Sequence, residues 1–297
     1  MVAPVYVMLG PGATAAVLCA ALVLGAVFGS FMCCVAGRLV SGESPWKGRS
    51  RCDSCGTVLG ALDLIPVFSW LACGGRCRYC GSAVPARCLY AELVLGLVFA
   101  LLLLRYGLSV HALAYCALTC VLLGLSLVDL DTMTIPNGFV LAGVVIWLLQ
   151  VAAAGTLELT GSAGMADSLG QSAAALQASL FPSLEHAAAL AANGLVGGLV
   201  MGGGMLVLSL AFDAVVKQQS LGGGDIKLLF ATGLFLGLPL SLFNLILACV
   251  MGLVFAFVRR LRGIEGAFPF GPAISVATVI TLLVGSQAVS AYLGLLL

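Results

Sequence analysis

The sequence predicts an all-α polytopic membrane protein with about eight transmembrane helices and a small cytoplasmic zinc-ribbon-like domain. Three observations carry this expectation. Apolar residues make up 62% of the 297, only 8% are charged, and the mean hydropathy is +1.18, far from the composition of soluble domains. The apolar residues gather into runs long enough to cross a hydrocarbon core. Finally, two Cys-x-x-Cys pairs, Cys52/Cys55 and Cys77/Cys80, share the longest basic loop.

The first apolar segment, Thr14–Val35, lacks a basic region before it and approaches full spanning length, which is not the pattern of a cleaved signal peptide. The next three are Leu89–Leu104, His111–Val128 and Phe139–Ala154. After them come Ala187–Phe212, Ile226–Leu238, Leu240–Val258 and Ala273–Leu295. With eight crossings the loops alternate sides, and 12 of the 13 Lys and Arg fall on one of them, Arg105 being the exception. The positive-inside rule makes that side cytoplasmic and puts both ends of the chain outside.

The loop Arg38–Cys88 is the largest polar piece. Its two Cys pairs, with 21 residues between them, have the spacing of a four-thiolate zinc site. Gly56 and Gly81 follow each second Cys where a tight turn is needed, and Arg51, Arg76 and Arg78 are placed to offset the negative charge of the centre. Disulfides or unligated thiols are the other readings, and a reducing compartment disfavours the former. Cys73 is a further candidate ligand. Cys19, Cys33, Cys34, Cys88, Cys116, Cys120 and Cys249 lie in or beside apolar segments and read as small buried hydrophobes. A loop of this size needs its metal for stability.

The third segment ends in Val128-Asp129-Leu130-Asp131, followed by Ile135-Pro136-Asn137. The sixth is preceded by Gly222-Gly223-Gly224-Asp225-Ile226-Lys227 and is only about 20 Å long at ~1.5 Å per residue. That is short for a hydrocarbon core of about 30 Å, so the glycine loop is expected below the membrane surface, with Asp225 drawn in. A carboxylate at that depth is a functional-site hypothesis. An N-cap is the alternative for Asp225, and a solvated helix end for Asp129 and Asp131. The glycines are expected to supply positive φ and room for a second chain. Two acids at matching depth are the parts of an aspartic protease dyad. Gly194, Gly198 and Gly202, spaced by four, form a face on which another helix can pack closely.

Gly155–His186 is an outer loop without Lys or Arg, expected to hold at most one short helix. The only histidines, His111 and His186, map to the side opposite the acids. No nucleic-acid signature is present, and orientation in the bilayer explains the basic residues.

Taken together these motifs resemble the type IV prepilin peptidases of the bifunctional leader peptidase and N-methyltransferase type. The resemblance extends to Gly29-Ser30-Phe31, Ile65-Pro66-x-x-Ser69-Trp70-Leu71, Gly75-Arg76-Cys77-Arg78-x-Cys80, Arg87 with Glu92, and Pro269-Phe270-Gly271-Pro272. It implies a membrane aspartic endopeptidase of the bacterial inner membrane, with Asp129 and Asp225 as catalytic residues and Gly222, Gly224 and Lys227 in the substrate loop. It also implies residues 1–37 as a first span, 38–88 as a zinc-binding loop domain and 89–297 as the peptidase core. Prepilin or pseudopilin precursors are the implied substrates, the lipid bilayer the medium, zinc a structural ion and S-adenosylmethionine the methyl donor. Cys33 and Val40 stand where the family usually has Asn and Pro. No glycine-rich nucleotide fingerprint is present, so methylation rests on the resemblance alone. A proton-coupled transporter would also bury carboxylates among glycine-rich helices, and a non-enzymatic scaffold would explain the Cys loop. Neither accounts for the whole motif set.

Overall fold

The computed structural model describes residues 5–45, 47–160, 185–217, 221–263 and 268–296. The long helices are α1 (Val5–Val40), α3 (Arg87–Tyr106), α4 (Val110–Thr132) and α5 (Asn137–Leu159), followed by α6 (His186–Val216), α7 (Gly223–Leu261) and α8 (Gly271–Leu295). The short helix α2 (Phe68–Ala72) lies in the loop between α1 and α3. Among the described residues seven helices are long and apolar enough to cross a membrane, and no strand forms. Most of the expected loop Gly155–His186 lies outside the described residues; its first residues continue α5 to Leu159.

Seven helices still give eight crossings, because α7 doubles back. Gly237 interrupts it with φ 67° and ψ 177°, two residues before Pro239. Gly224 in the first arm abuts Ile135, and Gly252 in the second abuts Phe270, next to Gly271, which itself abuts Ile135. In an unbroken helix Gly224 and Gly252 would stand about 42 Å apart at ~1.5 Å per residue. Both ends of α7 therefore return to one face of the bundle, and Gly237 makes the turn at the other. Proline and a positive-φ glycine terminate and redirect a helix where neither could continue it.

Helix α4 is the axis of the bundle: 72% of its most apolar window is buried, against 22% for α5 and for α7. Around it the helices meet through backbone contacts at glycine. Virtual Cβ atoms on Gly197 and Gly233 would lie 2.5 Å from Gly233 O and 2.8 Å from Gly197 O, so α6 and the first arm of α7 touch directly. The stripe read in the sequence thus packs on the arm that carries Asp225, with Gly197 added to it and a π turn at Leu199–Gly203 inside it.

Helices α1 and α3 cross in the same way, Gly25 against Leu95 and Gly96, and Gly29 against Ala91 and Glu92. That antiparallel register brings residue 33 opposite residue 88. A disulfide joins them, with Cα atoms 5.7 Å apart. This corrects the reading of Cys33 and Cys88 as unlinked buried thiols. The burial of Cys33, 5% exposed, restricts the thiol access that reduction requires. Cys19 and Cys249, expected to be buried, are exposed on the bundle and Cys34 is half-buried, whereas Cys116 and Cys120 are buried as expected.

Replacing Gly197 by Val should force α6 and α7 apart and destabilise the protein by roughly 1–3 kcal/mol. Gly204→Val, where an added Cβ meets nothing within 4 Å, should change little. The thermal unfolding midpoint of each purified variant in detergent measures the difference.

Candidate active site and cysteine cluster

Asp129 occupies the last turn of α4. Met133, in the left-handed region at φ 53°, stops the helix and donates its N–H to Asp129 O at 2.8 Å. The Asp129 side chain is 3% exposed, and its Oδ2 accepts the N–H of Gly271 at 3.1 Å. Gly271 is the first residue of α8 and is followed by Pro272. A Cβ at position 271 would lie 2.6 Å from Asp129 Oδ2, so a glycine is required for the backbone donor to reach the carboxylate. In the sequence Gly271 was visible only as part of a motif; its role as a donor had no local signal, because its partner lies 142 residues away.

Asp225 is the third residue of α7 and half-buried. It is not the N-cap: Gly222 is, with an extended backbone at φ −65°, and the Asp225 N–H donates to Gly222 O at 3.0 Å. None of Gly222, Gly223 and Gly224 has positive φ, which corrects the expected conformational role. What Gly222 and Gly224 contribute is the missing side chain. A Cβ on Gly222 would lie 3.1 Å from Asp225 Oδ2, and one on Gly224 would lie 3.0 Å from Ile135 Cβ. Ile135 thus contacts both Gly224 and Gly271, clamping the two loops together. The Asp129 and Asp225 carboxylates are near enough to act on each other electrostatically.

The neighbouring polar residues are otherwise engaged. Asp131, at the exposed end of α4 as expected, binds Arg87 Nη1 at 2.8 Å and so ties α4 to the start of α3. Lys227 donates to Asn137 Oδ1 at 2.9 Å, which fixes the rim between α5 and α7.

Beside this site the loop after α1 folds into two matching knuckles. Cys52 N–H donates to Thr57 O at 3.0 Å and Gly56 N–H to Cys52 O at 2.9 Å; Cys77 N–H donates to Ser82 O at 2.8 Å and Gly81 N–H to Cys77 O at 2.9 Å. Gly56 and Gly81 take φ of 69° and 73°, as the tight turns demand. The Sγ atoms of Cys52, Cys55, Cys77 and Cys80 all lie within 4.8 Å of one another. Thiolates about 2.3 Å from one tetrahedral ion would stand roughly 3.8 Å apart, and Cys52 and Cys80 Sγ are 3.9 Å apart. The donor set therefore fits zinc. Backbone N–H groups of Cys55 and Ser54 lower the Cys52 thiol to about 6, favouring the thiolate a metal needs.

Cys73 ends α2 and is outside the cluster. Arg51 and Arg78 pair with Glu43 and Asp63 and are not dedicated to balancing the thiolates. Glu92, buried in α3, anchors the loop by accepting the N–H of Val67 at 2.6 Å. Between the knuckles, α1 and α3 lies a cavity of about 840 Å³ lined in part by Arg38, Asp63, Trp70, Arg87 and Glu92.

Comparison with known proteins identifies relatives of this chain. Residues 23–106 match the model of the bacterial peptidase A24 N-terminal domain, and residues 116–257 match that of the type IV leader peptidase family. The chain belongs to the type IV leader peptidase family. Proteins named prepilin leader peptidase/N-methyltransferase resemble this family member over nearly their whole length. Those of Stutzerimonas stutzeri and Pseudomonas aeruginosa are each 29% identical, with 93% of both chains covered. That of Bacillus subtilis is 26% identical over 93% of this chain and 97% of its own. No solved structure matches this leader peptidase family member.

Two outcomes follow from the geometry. A Cys77→Ser protein should lose zinc and loosen the loop, while Cys73→Ser should keep the wild-type zinc content; elemental analysis with limited proteolysis separates them. Gly271→Ala should push α8 off Asp129 and lower cleavage of a precursor at least about tenfold with the protein still inserted, a loss that positioning errors of about 1 Å suffice to produce.

Proposed function

We propose that this protein removes the basic leader peptide of type IV prepilins and pseudopilin-like precursors at the cytoplasmic face of the membrane. It then methylates the new N-terminal amine. The observation that carries the reading is the convergence of Asp129 and Asp225, 96 residues apart in sequence, at one end of the bundle beside the cysteine cluster. The family and the names of the relatives support the substrate class. The transporter and scaffold readings have no such support. Twelve of 13 Lys and Arg fall on the loops at the aspartate end, which supports a cytoplasmic location for it.

In this reading the two aspartates act as one unit. Carboxylates this close in an apolar bundle do not both ionise readily, so the pair holds one proton and titrates in two steps. The ionised member removes a proton from the attacking water, and the protonated member polarises the scissile carbonyl. Gly271 N–H holds Asp129 in place for this. Gly223, where an added Cβ would meet nothing within 4 Å, is the open side of the loop that an extended peptide can approach, while Gly222 and Gly224 seat Asp225 and Ile135, and Lys227 with Asn137 shapes the rim.

Zinc would be held by Cys52, Cys55, Cys77 and Cys80, where it supplies a structural cross-link. S-adenosylmethionine supplies the methyl group. The 840 Å³ cavity fits a molecule of that size, and the half-buried ring of Trp70 lines it. We assign the donor to this cavity, with Arg87 and Glu92 at its membrane end.

Asp129→Asn and Asp225→Asn should each reduce precursor cleavage roughly 10³-fold or more, and the double variant should be no worse than either alone. Asp131→Asn breaks only a surface ion pair, worth about 0–1 kcal/mol, and should cleave at near the wild-type rate. Membranes with matched protein levels and a purified prepilin provide the assay. Activity in Asp225→Asn would sink the assignment. Mass analysis of the product with and without the methyl donor tests the second reaction.

A further inference from the structure

The glycine stripe of α6 gives way to large residues as the helix nears the aspartate end. Gly194, Gly198 and Gly202 press on the first arm of α7, and an added Cβ on Gly202 would lie 2.6 Å from Phe230 Cβ. The next positions at the same four-residue spacing are Leu206 and Leu210, which a helix still packed on α7 would bury. They are instead 46% and 60% exposed. Helix α6 therefore leaves α7 at its π turn, Leu199–Gly203, and the two part toward the end that holds Asp225. The gap is a groove of about 420 Å³. Val140 and Val144 of α5 form one side, Gly203 and Leu206 of α6 the other, and Ile226 and Phe230 of α7 the floor. Its two polar side chains, Lys227 and Asn137, bind each other at 2.9 Å, which leaves an apolar trough.

A second observation connects this groove to the aspartates. Seven residues make about two turns at ~3.6 residues per turn, so Gly223 lies on the same face of α7 as Phe230, with Ile226 and Lys227 between them. A Cβ on Gly223 would meet nothing within 4 Å. Asp225 stands on the other side of the helix, toward Asp129. The groove thus runs out over an open glycine, and a chain leaving it crosses the end of α7 to reach the carboxylates.

We propose that the groove between α5, α6 and the first arm of α7 receives an apolar membrane helix of the precursor, the segment that follows the scissile bond. This rests on the peptidase reading. A basic leader stays on the cytoplasmic side by the positive-inside rule, so the part of the substrate that enters the bilayer lies beyond the bond to be cut. That part has to dock beside the carboxylates, and the groove is continuous with them across Gly223. An apolar helix suits the lining: side chains recurring every three or four residues anchor it in the trough, and Gly202 and Gly203 allow close approach. The stretch between this helix and the scissile bond then crosses Gly223 in extended form. Lipid tails match the same lining, and the experiment separates the two occupants.

Full-length protein with a photoreactive benzoylphenylalanine in place of Leu206, and Asp225→Asn to block turnover, is irradiated in liposomes with a purified prepilin. Adducts should map to the apolar segment of the prepilin, at positions recurring every three or four residues. The same group in place of Leu208, about 200° round the helix, should give adducts with lipid. In parallel, cleavage of the prepilin is measured. Gly203→Leu fills the groove and should lower kcat/KM roughly tenfold. Gly204→Leu, where an added Cβ also meets nothing within 4 Å but the side chain points away from the groove, should cleave at near the wild-type rate. A wild-type protein that does not cleave the prepilin would sink the peptidase reading and this proposal with it. An active wild type whose Leu206 position captures lipid alone, or a Gly203→Leu protein as active as Gly204→Leu, would overturn the groove and leave that reading standing.

Discussion

An aspartate buried at the end of an apolar bundle is the constraint on which the rest of the architecture turns. Leaving a carboxylate out of water without a hydrogen bond is costly, so Asp129 has to be met by donors that do not themselves crowd the site. The fold meets it with a backbone N–H, that of Gly271, and only a glycine lets the chain come so near. To deliver that N–H, α8 must start at the end of α4, and α7 must bring its own second arm back to the same face. The turn at Gly237 and the glycine contacts of α6 with α7 are what make that return path short enough. A side-chain donor of opposite charge would have answered the same need at the price of a fixed ion pair, and it would have quenched the reactivity of the carboxylate.

Much of this could be read from the amino-acid order, for identifiable reasons. Apolar runs record where lipid is, so every span was visible, including the two arms of α7 that share one helical element. The cysteine knuckles were visible because a tetrahedral site built from two tight turns repeats the same short pattern twice. The aspartates were visible as charges out of place. What stayed hidden depends on register between distant segments. The partnership of Asp129 with Gly271, of Asp131 with Arg87 and of Cys33 with Cys88 is set by how helices cross, which no local pattern encodes. The glycine loop shows a subtler limit. Gly222 and Gly224 stood out in the sequence, but composition could not say whether φ or the missing Cβ was the reason for a glycine there. The backbone is ordinary there and the crowding is real.

The loop that carries the cysteine knuckles and the membrane core are joined at several kinds of contact, each with its own chemistry. Glu92 caps the loop backbone at Val67, the Cys33–Cys88 bond closes its base, and Arg87 reaches from its end to Asp131, two residues past Asp129. A change in the loop can therefore be felt at the aspartates through α3 and α4 without any shared ligand. Helix α4 is the common element. It carries Asp129 near one end and His111 near the other, about 27 Å apart at ~1.5 Å per residue.

The contact between Asp129 and Gly271 also has a consequence for biogenesis. Asp129 emerges from the ribosome long before Gly271, and every crossing from α5 through both arms of α7 is made in between. Until the final span is threaded into the bilayer, the carboxylate lacks its backbone partner and the loop carrying Asp225 lacks the surface against which it is clamped. In the proposed reading, this order of assembly leaves the aspartate pair incomplete until α8 has been inserted.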